Sequence, residues 1–430
     1  MQSAATVPPP PGEPPGGIDV TTPDLYADEA RLHATFAWMR AYDPVRWMEP
    51  EGYRPFWAVT RRADVVEIER QHGRFLNAPR AILALEEVVE AVRAFTGGSP
   101  HLVRTLVHMD EPEHRVMRGL TNAWFLPANL KRLVEPKLKA RARQSVDHML
   151  ALGGACDFVR DVAIWYPLRV IMDVLGVPEE DEPRMLKLTQ ELFGNTDAET
   201  RRNLGEAGDL IAVVLDFYQY FRALTEDRRR QPRDDLASVI ANARIDGEPI
   251  GDIEAMGYYT IVATAGHDTT SSSTAGGLHA LVQHPDEFRR LRDDPSLMPL
   301  AVDEAIRWVT PVRHFMRTAT EDYDLRGRRI RAGDDLMLLY PSANRDEEAF
   351  EEPFRFKVDR SPNPHVGFGY GVHLCLGHLL AKMEMRALYQ ELFSRLDWVE
   401  LDGEPAWVAS SFVGGLKRLP IRYGLRPAAD

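Results

Sequence analysis

The spacing of apolar residues along the chain predicts a mainly α-helical protein with a minor β portion. Between residues 127 and 224, apolar positions recur three and four residues apart, with one interruption at 177–183 that contains two prolines. The longest helical pattern of the second half covers residues 252–283, and shorter patterns cover 299–308 and 375–396.

The segment that begins at Ile82 has a clear amphipathic helical pattern and ends at Gly97-Gly98. Its acidic and basic residues fill the face opposite the apolar one. The pattern fits a surface helix that packs on the core, and it also fits a mobile helix that covers an apolar pocket. The apolar positions are Ile82, Leu85, Val88, Val89, Val92 and Phe95.

The β portion is predicted from alternation and turn signals. Residues 56–60 alternate as a short strand does. Between Thr318 and Pro341, the turn signals Arg326-Gly327 and 332–334 bracket further short strands. The last stretch, 411–423, is interpreted as a hairpin.

Composition and charge narrow the classes of function. The 430 residues carry a formal net charge of −13, which argues against nucleic acid as the partner. The apolar stretch at 256–266 is too short for the ~20 residues of a membrane span, and the chain lacks a signal-peptide pattern. We therefore expect a cytoplasmic monomer that does not bind a membrane, with a disordered proline-rich tail over residues 1–20 and a single domain over residues 21–430.

The chain has only two cysteines, Cys156 and Cys375, so a disulfide framework and a four-cysteine zinc site are excluded. Residues 368–377, FGYGVHLCLG, surround Cys375 with glycines and an aromatic residue directly before a helical pattern. Glycines allow a tight turn and the close approach of a flat ligand. A thiol at a helix N-terminus is favoured as a thiolate, which suits an iron ligand. Cys156 has no such surroundings and is interpreted as a packing residue.

The segment FGYGVHLCLG resembles the haem-binding loop of the cytochromes P450. The resemblance implies the cytochrome P450 fold, with haem b (iron-protoporphyrin IX) buried between a long kinked helix and the cysteine loop. It implies that Cys375 is the iron ligand and that Phe368, Gly369 and Gly377 contact the haem. It also implies four cationic side chains for the two haem propionates, namely His114, Arg118, Arg317 and His373.

Residues 265–270, AGHDTT, lie inside the longest helical pattern. A threonine there can hydrogen-bond to the carbonyl four residues earlier and bend the helix, which makes room for a small ligand and a water. The resemblance implies that Thr269 hydrogen-bonds dioxygen, that Asp268 helps to deliver protons and that Gly266 leaves space for oxygen.

The resemblance also assigns structural and substrate-binding residues. Glu304 and Arg307 lie three residues apart on one helix face and, with Arg360, match a buried network that serves folding and haem loading. Arg80 and Arg313 are further candidates for polar contacts with the substrate. The residues expected to line an apolar substrate pocket are Ile261, Ala265, Val312, Phe315 and Phe412.

Several stretches, among them TAGHDTTSSST, PSANRDEEAF and FVGGLKRLPIRY, resemble bacterial members that hydroxylate α-terpineol and relatives that oxidise small terpenoids and alkyl-aromatic hydrocarbons. This resemblance implies a monooxygenase that hydroxylates an unactivated C–H bond of a small hydrophobic substrate, using O₂ and two electrons. The electrons would come from a ferredoxin served by a flavin-dependent ferredoxin reductase, docked on a basic patch around Arg115, Arg118 and Lys382. Alternatives are a steroid or polyketide substrate, a peroxide-dependent peroxygenase, and a haem-based sensor or ligand carrier.

Overall fold

Helices make up most of the chain in the computed structural model, which describes residues 12–14, 17–192 and 207–428. The helices are α1 Pro23–Ala27, α2 Glu29–Tyr42, α3 Arg62–Arg70, α4 Glu86–Thr96, α5 Glu113–Asn122, α6 Pro127–Asn129, α7 Glu135–Ala151, α8 Trp165–Leu175, α9 Glu182–Leu192, α10 Ala207–Arg230, α11 Leu236–Ala241, α12 Asp252–Ala265, α13 Asp268–Gln283, α14 Pro285–Asp293, α15 Met298–Val309, α16 Tyr340–Ala343 and α17 His378–Arg395. Within the described ranges, no helix is both long and apolar enough to cross a bilayer.

The strands are short, and five of the fourteen described strands form one mixed sheet. They are β1 Val45–Met48, β2 Phe56–Val59, β3 Phe75–Leu76, β4 Ala155–Asp157, β5 Arg244–Ile245, β6 Glu248–Pro249, β7 His314–Ala319, β8 Tyr323–Leu325, β9 Arg328–Ile330, β10 Asp335–Leu339, β11 Leu396–Leu401, β12 Ala406–Trp407, β13 Leu416–Arg418 and β14 Pro420–Leu425. The main sheet has the order β1-β2-β10-β7-β3, with β2 and β10 parallel and the other pairs antiparallel. The predicted strand at 56–60 and the β segments after Thr318 are therefore confirmed.

The long helix predicted over residues 252–283 is broken into α12 and α13 at Gly266 and His267. The Thr269 hydroxyl donates to the Ala265 carbonyl at 3.1 Å, as the sequence predicted. The His267 ring nitrogen Nδ1 lies 3.0 Å from the Ala263 carbonyl. Side chains that bond to the helix backbone four residues earlier bend a helix, so the break has a local cause.

The predicted hairpin over 411–423 is wrong. Strand β13 pairs with β12, whereas β14 pairs with β11 and β4, so the two C-terminal strands do not pair with each other. The partner of β13 lies at 406–407, and those of β14 lie at 396–401 and 155–157. All three lie outside the stretch 411–423, so the pattern within it does not reveal them. Strand β14 therefore joins the end of the chain to β11, which follows α17, and to β4 at residues 155–157.

The amphipathic segment forms α4 and ends at Gly97, which takes a left-handed φ of 73°. Its apolar face is largely uncovered, since Val88 is 49% exposed and Phe95 is 60% exposed. Only Val89 of this helix is buried. Packing on the core thus accounts for Val89 but not for the rest of the face.

Residues 1–11 and 15–16 of the expected tail lie outside the described residues. Within the described part of that tail, Glu13 pairs with Arg46 at 2.5 Å. Val20 is fully buried in a cluster with α2 and the sheet. The packed part of the chain therefore includes Val20.

Candidate functional site

One stripe of the long kinked helix faces an open space. Five side chains along this stripe are partly or well exposed, whereas the residues between them are mostly buried. They are Ile261 and Ala265 on α12 and Asp268, Thr269 and Ser272 after the break. Spacings of three and four residues place these side chains on one face of a helix. The sequence-predicted residues Ile261, Ala265, Asp268 and Thr269 are thus brought together along this stripe.

Gly266 belongs to the same break but has a packing role. A Cβ on Gly266 would lie 2.6 Å from Cγ1 of Ile171 on α8 and 2.7 Å from the Val262 carbonyl. Any larger residue would push α12 away from α8. The missing side chain therefore allows close helix packing, which differs from the expected role of leaving room for oxygen.

The loop that carries Cys375 is held in a tight turn. The Cys375 amide donates to the Phe368 carbonyl at 2.9 Å, and Gly369 and Gly371 have left-handed φ values of 68° and 70°. At Gly371 a Cβ would collide with the Glu69 carbonyl. A Cβ on Gly377 would meet no protein atom within 4 Å, so this side of the loop borders open space.

Helix α5 joins the cysteine loop to the long helix. Arg118 on α5 donates from Nη2 to the Leu374 carbonyl at 2.7 Å. One turn further on, the Thr121 hydroxyl lies 2.7 Å from the Tyr258 hydroxyl of α12, which itself donates to the Met117 carbonyl at 3.0 Å. These bonds fix the loop and the open stripe of the long helix relative to one helix between them.

Cys375 is a thiol whose charge state depends on its surroundings. Burial raises its pKa, while the Gly377 amide and the Arg118 guanidinium act in the opposite direction and favour the thiolate. The helix that follows begins at His378, as predicted for a cysteine just before a helix N-terminus. A metal ion at the sulfur would deprotonate it outright, because a coordinated thiol loses its proton.

Four cationic or potentially cationic side chains converge beside this loop. The rings of His114 and His373 lie 4.0 Å apart. Burial, and then the nearby His114, Arg317 and Arg118, lower the pKa of His373 to about 2. Nδ1 of His114 is buried without a hydrogen-bond partner, and the nearest Glu111 carboxylate oxygen is 3.8 Å away. Burial and Arg118 also lower the pKa of His114. The four sequence-predicted side chains therefore form one cluster, in which the two arginines carry positive charge and the two histidines are neutral donors or acceptors.

Glu69 is part of this cluster and was missed by the sequence analysis. Its Oε1 accepts from Arg317 Nη2 at 2.9 Å and from the Tyr340 hydroxyl at 2.8 Å, while its Oε2 has no partner. Burial raises the pKa of Glu69, and Arg317 and Tyr340 oppose that rise. Glu69 lies in α3, about 250 residues before Arg317, so no local pattern links them.

The distal acid also has a partner that the sequence analysis missed. His267 is fully buried, and its Nε2 lies 3.0 Å from Oδ1 of Asp268. The ring N–H is not well aligned with that oxygen, so the contact is mainly electrostatic. Burial disfavours the imidazolium, yet Asp268 and the Ala263 carbonyl outweigh it and raise the pKa of His267. His267 thus holds the carboxylate of Asp268 from the buried side of the helix.

The predicted network around Glu304 is fully formed. Glu304 accepts from Arg307 Nε at 2.7 Å and from Arg360 Nε at 2.9 Å, and all three side chains are buried. Arg307 also donates to the Asn344 carbonyl at 2.8 Å. The Asn344 side chain in turn accepts from the Val366 amide at 2.8 Å. Because Val366 directly precedes the cysteine loop, the network holds that loop in place.

The remaining apolar candidates meet at one end of the sheet. The rings of Phe315 and Phe412 lie 5.7 Å apart, and Val312 forms a β-bridge with Val413. Phe315, Phe412 and Val312 are only partly buried, so they present apolar surface to a space.

The two candidate polar anchors are engaged inside the protein. Arg80 pairs with Glu86 at 2.7 Å and with Asp335 at 3.1 Å. Arg313 is buried against Gly414 and donates from Nη1 to the Val309 carbonyl at 3.3 Å. The charge of Arg80 is therefore used within the fold, whereas Nε of the buried Arg313 has no hydrogen-bond partner.

The residues present fit a haem. Open space lies beside Gly377, two residues from the partly buried Cys375 thiol. The cluster of His114, Arg118, Arg317 and His373 supplies donors for an anion, including the unpartnered Nδ1 of His114. Buried positive charge of this kind is offset by a bound anionic group such as a carboxylate.

The comparisons with known proteins agree with this site. The model of the family Cytochrome P450 matches residues 86–422. Cytochrome P450-terp of a Pseudomonas species is 45% identical over 412 residues, which cover 94% of this chain and 96% of that protein.

Two solved structures extend the comparison to the fold. CYP108D1 of Novosphingobium aromaticivorans is 46% identical with a TM-score of 0.89, covering 95% of this chain and 97% of its own. CYP268A2 of Mycobacterium marinum, solved in complex with pseudoionone, is 33% identical with a TM-score of 0.85, covering 97% of this chain and 100% of its own.

Three observations lead to one assignment. They are the loop with its partly buried thiol, the kinked helix with its exposed stripe and the family match over most of the chain. The chain belongs to the cytochrome P450 family and is a haem-thiolate monooxygenase.

Proposed function

We propose that this enzyme hydroxylates an unactivated C–H bond of a small hydrophobic substrate, a monoterpenoid or alkyl-aromatic hydrocarbon, with O₂ and two electrons from a ferredoxin. The observation that carries the proposal is the apolar surface that the long helix and the sheet end leave partly exposed. Ile261 and Ala265 supply it on the helix and Phe315 and Phe412 at the sheet end, while the candidate anchor Arg80 is paired with Glu86 and Asp335.

The cofactor is haem b, with Cys375 Sγ as the iron ligand. His114, Arg118, Arg317 and His373 would hold the two propionates, and Phe368, Gly369 and Gly377 would lie against the ring. When bound, the haem supplies the electron transfer to dioxygen and the activation of oxygen. The polypeptide supplies the thiolate, the protons and the orientation of the substrate.

Proton delivery is assigned to Asp268 and Thr269. The Asp268 side chain is 38% exposed, so its carboxylate can take up a proton from solvent while His267 holds it from the buried side. Thr269 Oγ1 lies one residue further along the same open stripe and donates to Ala265 in this structure. The hydroxyl can rotate to donate into the open space, after which Asp268 replaces its proton. General acid catalysis of this kind contributes about 10²- to 10⁴-fold in rate.

The proposed docking surface for ferredoxin is the basic patch of Arg115, Arg118 and Lys382. Arg115 is its most accessible member, with a side chain 76% exposed and one weak contact to Glu111 at 3.4 Å. Lys382 is paired with Asp303 at 2.6 Å, and Arg118 donates to the cysteine loop. We therefore expect steering of an acidic ferredoxin, supplied with electrons by a flavin-dependent reductase, to depend mainly on Arg115.

The first prediction concerns the iron ligand. Cys375→Ala should abolish the absorption band of the thiolate-ligated carbon monoxide complex, because no other thiol borders the site. Cys156→Ala is the matched control. Cys156 lies half-buried in β4, where burial raises its pKa to about 12. The control should keep the band, and a band that persists in the Cys375→Ala protein would falsify the ligand assignment.

The second prediction concerns proton delivery. Thr269→Ala should slow product formation on the order of 10²-fold, while reductant is still consumed and hydrogen peroxide accumulates. Thr264→Ala is the control, because Thr264 makes the same type of bond to Thr260, at 2.6 Å, on the buried face of the helix. The measurement is peroxide formed per reductant consumed. Tight coupling in the Thr269→Ala enzyme, or equal leakage in both variants, would remove Thr269 from the relay.

The third prediction concerns substrate and oxidant. α-Terpineol, p-cymene, an alkylbenzene, a polycyclic aromatic and a steroid are compared by the spin-state shift of the iron, followed by product identification. We expect the tightest binding for the monoterpenoid or alkylbenzene ligands and turnover that requires NADH, reductase and ferredoxin. Tightest binding of the steroid would contradict the substrate class. Faster turnover with peroxide alone would identify a peroxygenase instead.

A further inference from the structure

Three chain segments meet at His314, the first residue of β7. His314 is fully buried, and its Nδ1 lies 2.7 Å from the Ser411 carbonyl. On the other side of the ring, Nε2 lies 3.1 Å from the Leu83 amide nitrogen. Leu83 lies in the segment before α4, and Ser411 lies in the C-terminal loop.

These two contacts define the chemical form of the ring. The Leu83 amide can only donate, so Nε2 must accept and carry no proton, and Nδ1 carries the proton donated to Ser411. Burial lowers the pKa of His314 to about 4, although the Ser411 carbonyl acts in the opposite direction. The imidazole is therefore neutral at physiological pH and satisfies a donor and an acceptor at the same time.

The ring also contacts the aromatic side chains that border the open space. Its centroid lies 5.5 Å from that of Phe412, which lies 5.7 Å from the ring of Phe315. Backbone bonds hold the same junction, since the Arg313 amide donates to the Phe412 carbonyl at 2.7 Å and the Met316 amide donates to the Ala81 carbonyl at 2.8 Å. Among these contacts, only the His314 side chain bonds to both the 81–85 segment and the C-terminal loop.

We propose that His314 is a positioning residue that sets the width of the substrate pocket by holding the Leu83 segment and the Ser411–Phe412 loop at a fixed separation. The inference rests on the proposed function, in which Phe315 of β7 and Phe412 of the C-terminal loop border the substrate. It adds a residue that touches no reacting atom and determines which size of substrate fits. Without the two bonds, the segment before α4 and the C-terminal loop can move apart, and a wider ligand is accommodated.

The test uses the full-length holoenzyme with His314→Phe, which keeps a ring against Phe412 and removes both bonding nitrogens. We expect the dissociation constant for p-cymene, read from the spin-state shift, to rise roughly ten-fold. The constant for a steroid should stay equal or fall. Amide exchange of the 81–85 segment should accelerate by a similar factor, since Leu83 loses its acceptor. His314→Gln, whose amide can donate and accept together, should restore most of the wild-type values.

His279→Phe is the matched control. His279 is another buried histidine, with a pKa lowered by burial to about 4, and it lies on α13 about three turns beyond Asp268. It should leave both dissociation constants and the exchange of 81–85 unchanged. If His314→Phe does not fold, His314→Met, which is of similar volume and lacks a ring nitrogen, takes its place.

Wild-type selectivity and wild-type exchange in the His314→Phe or His314→Met enzyme would overturn the proposal. Equal weakening by His279→Phe would also overturn it, because the effect would then reflect general loss of packing. A different outcome would show that the proposed function is wrong and would leave the role of His314 to be judged separately. If the wild-type enzyme binds the steroid best, the substrate class is wrong, whereas the acceleration of exchange at 81–85 still tests His314.

Discussion

The concentration of positive charge beside the cysteine loop is the constraint on which the site depends. His114, Arg118, Arg317 and His373 come from three separate parts of the chain and meet at buried or partly buried positions. The two arginines carry the charge of this cluster, and charge withdrawn from water is costly. Glu69 offsets only part of that charge through Arg317, and Nδ1 of His114 is left without a partner. In the proposed function, the anionic groups of the haem would complete this arrangement and join the cluster and the thiol into one site.

Rigid supports hold the two sides of the site at a fixed separation. On the thiol side, the buried Glu304 network reaches the cysteine loop through Asn344 and Val366. Removing one partner from such a network leaves an uncompensated buried charge, at a cost of about 3–5 kcal/mol. On the opposite side, hydrogen bonds from the side chains of His267 and Thr269 to the helix backbone fix the break in the long helix. Helix α5 links the two sides through Arg118 and Thr121.

Local patterns in the sequence predicted the elements that depend on local causes. The break in the long helix, the strand at 56–60 and the helix after Cys375 follow from spacing and from side chains bonded a few residues away. The wrong hairpin at 411–423 and the missed Glu69 and His314 share one reason. Some of their partners lie far away in sequence, such as β4 for β14 and Arg317 for Glu69. Burial and pairing across such distances arise only in the folded chain, so periodicity does not report them.

The most direct test of the account compares two forms of the cofactor. The cofactor-free chain is reconstituted with haem or with haem whose two propionates are esterified, and the two affinities are measured. Only the anionic groups differ between these ligands, so the comparison isolates the contribution of the charge cluster from that of the thiol. Each propionate, held by a charge-assisted hydrogen bond, contributes about 1.5–3 kcal/mol to binding. We therefore expect haem to bind at least about 100-fold more tightly than its ester. Equal affinities would contradict the claim that the buried cations are compensated by the cofactor.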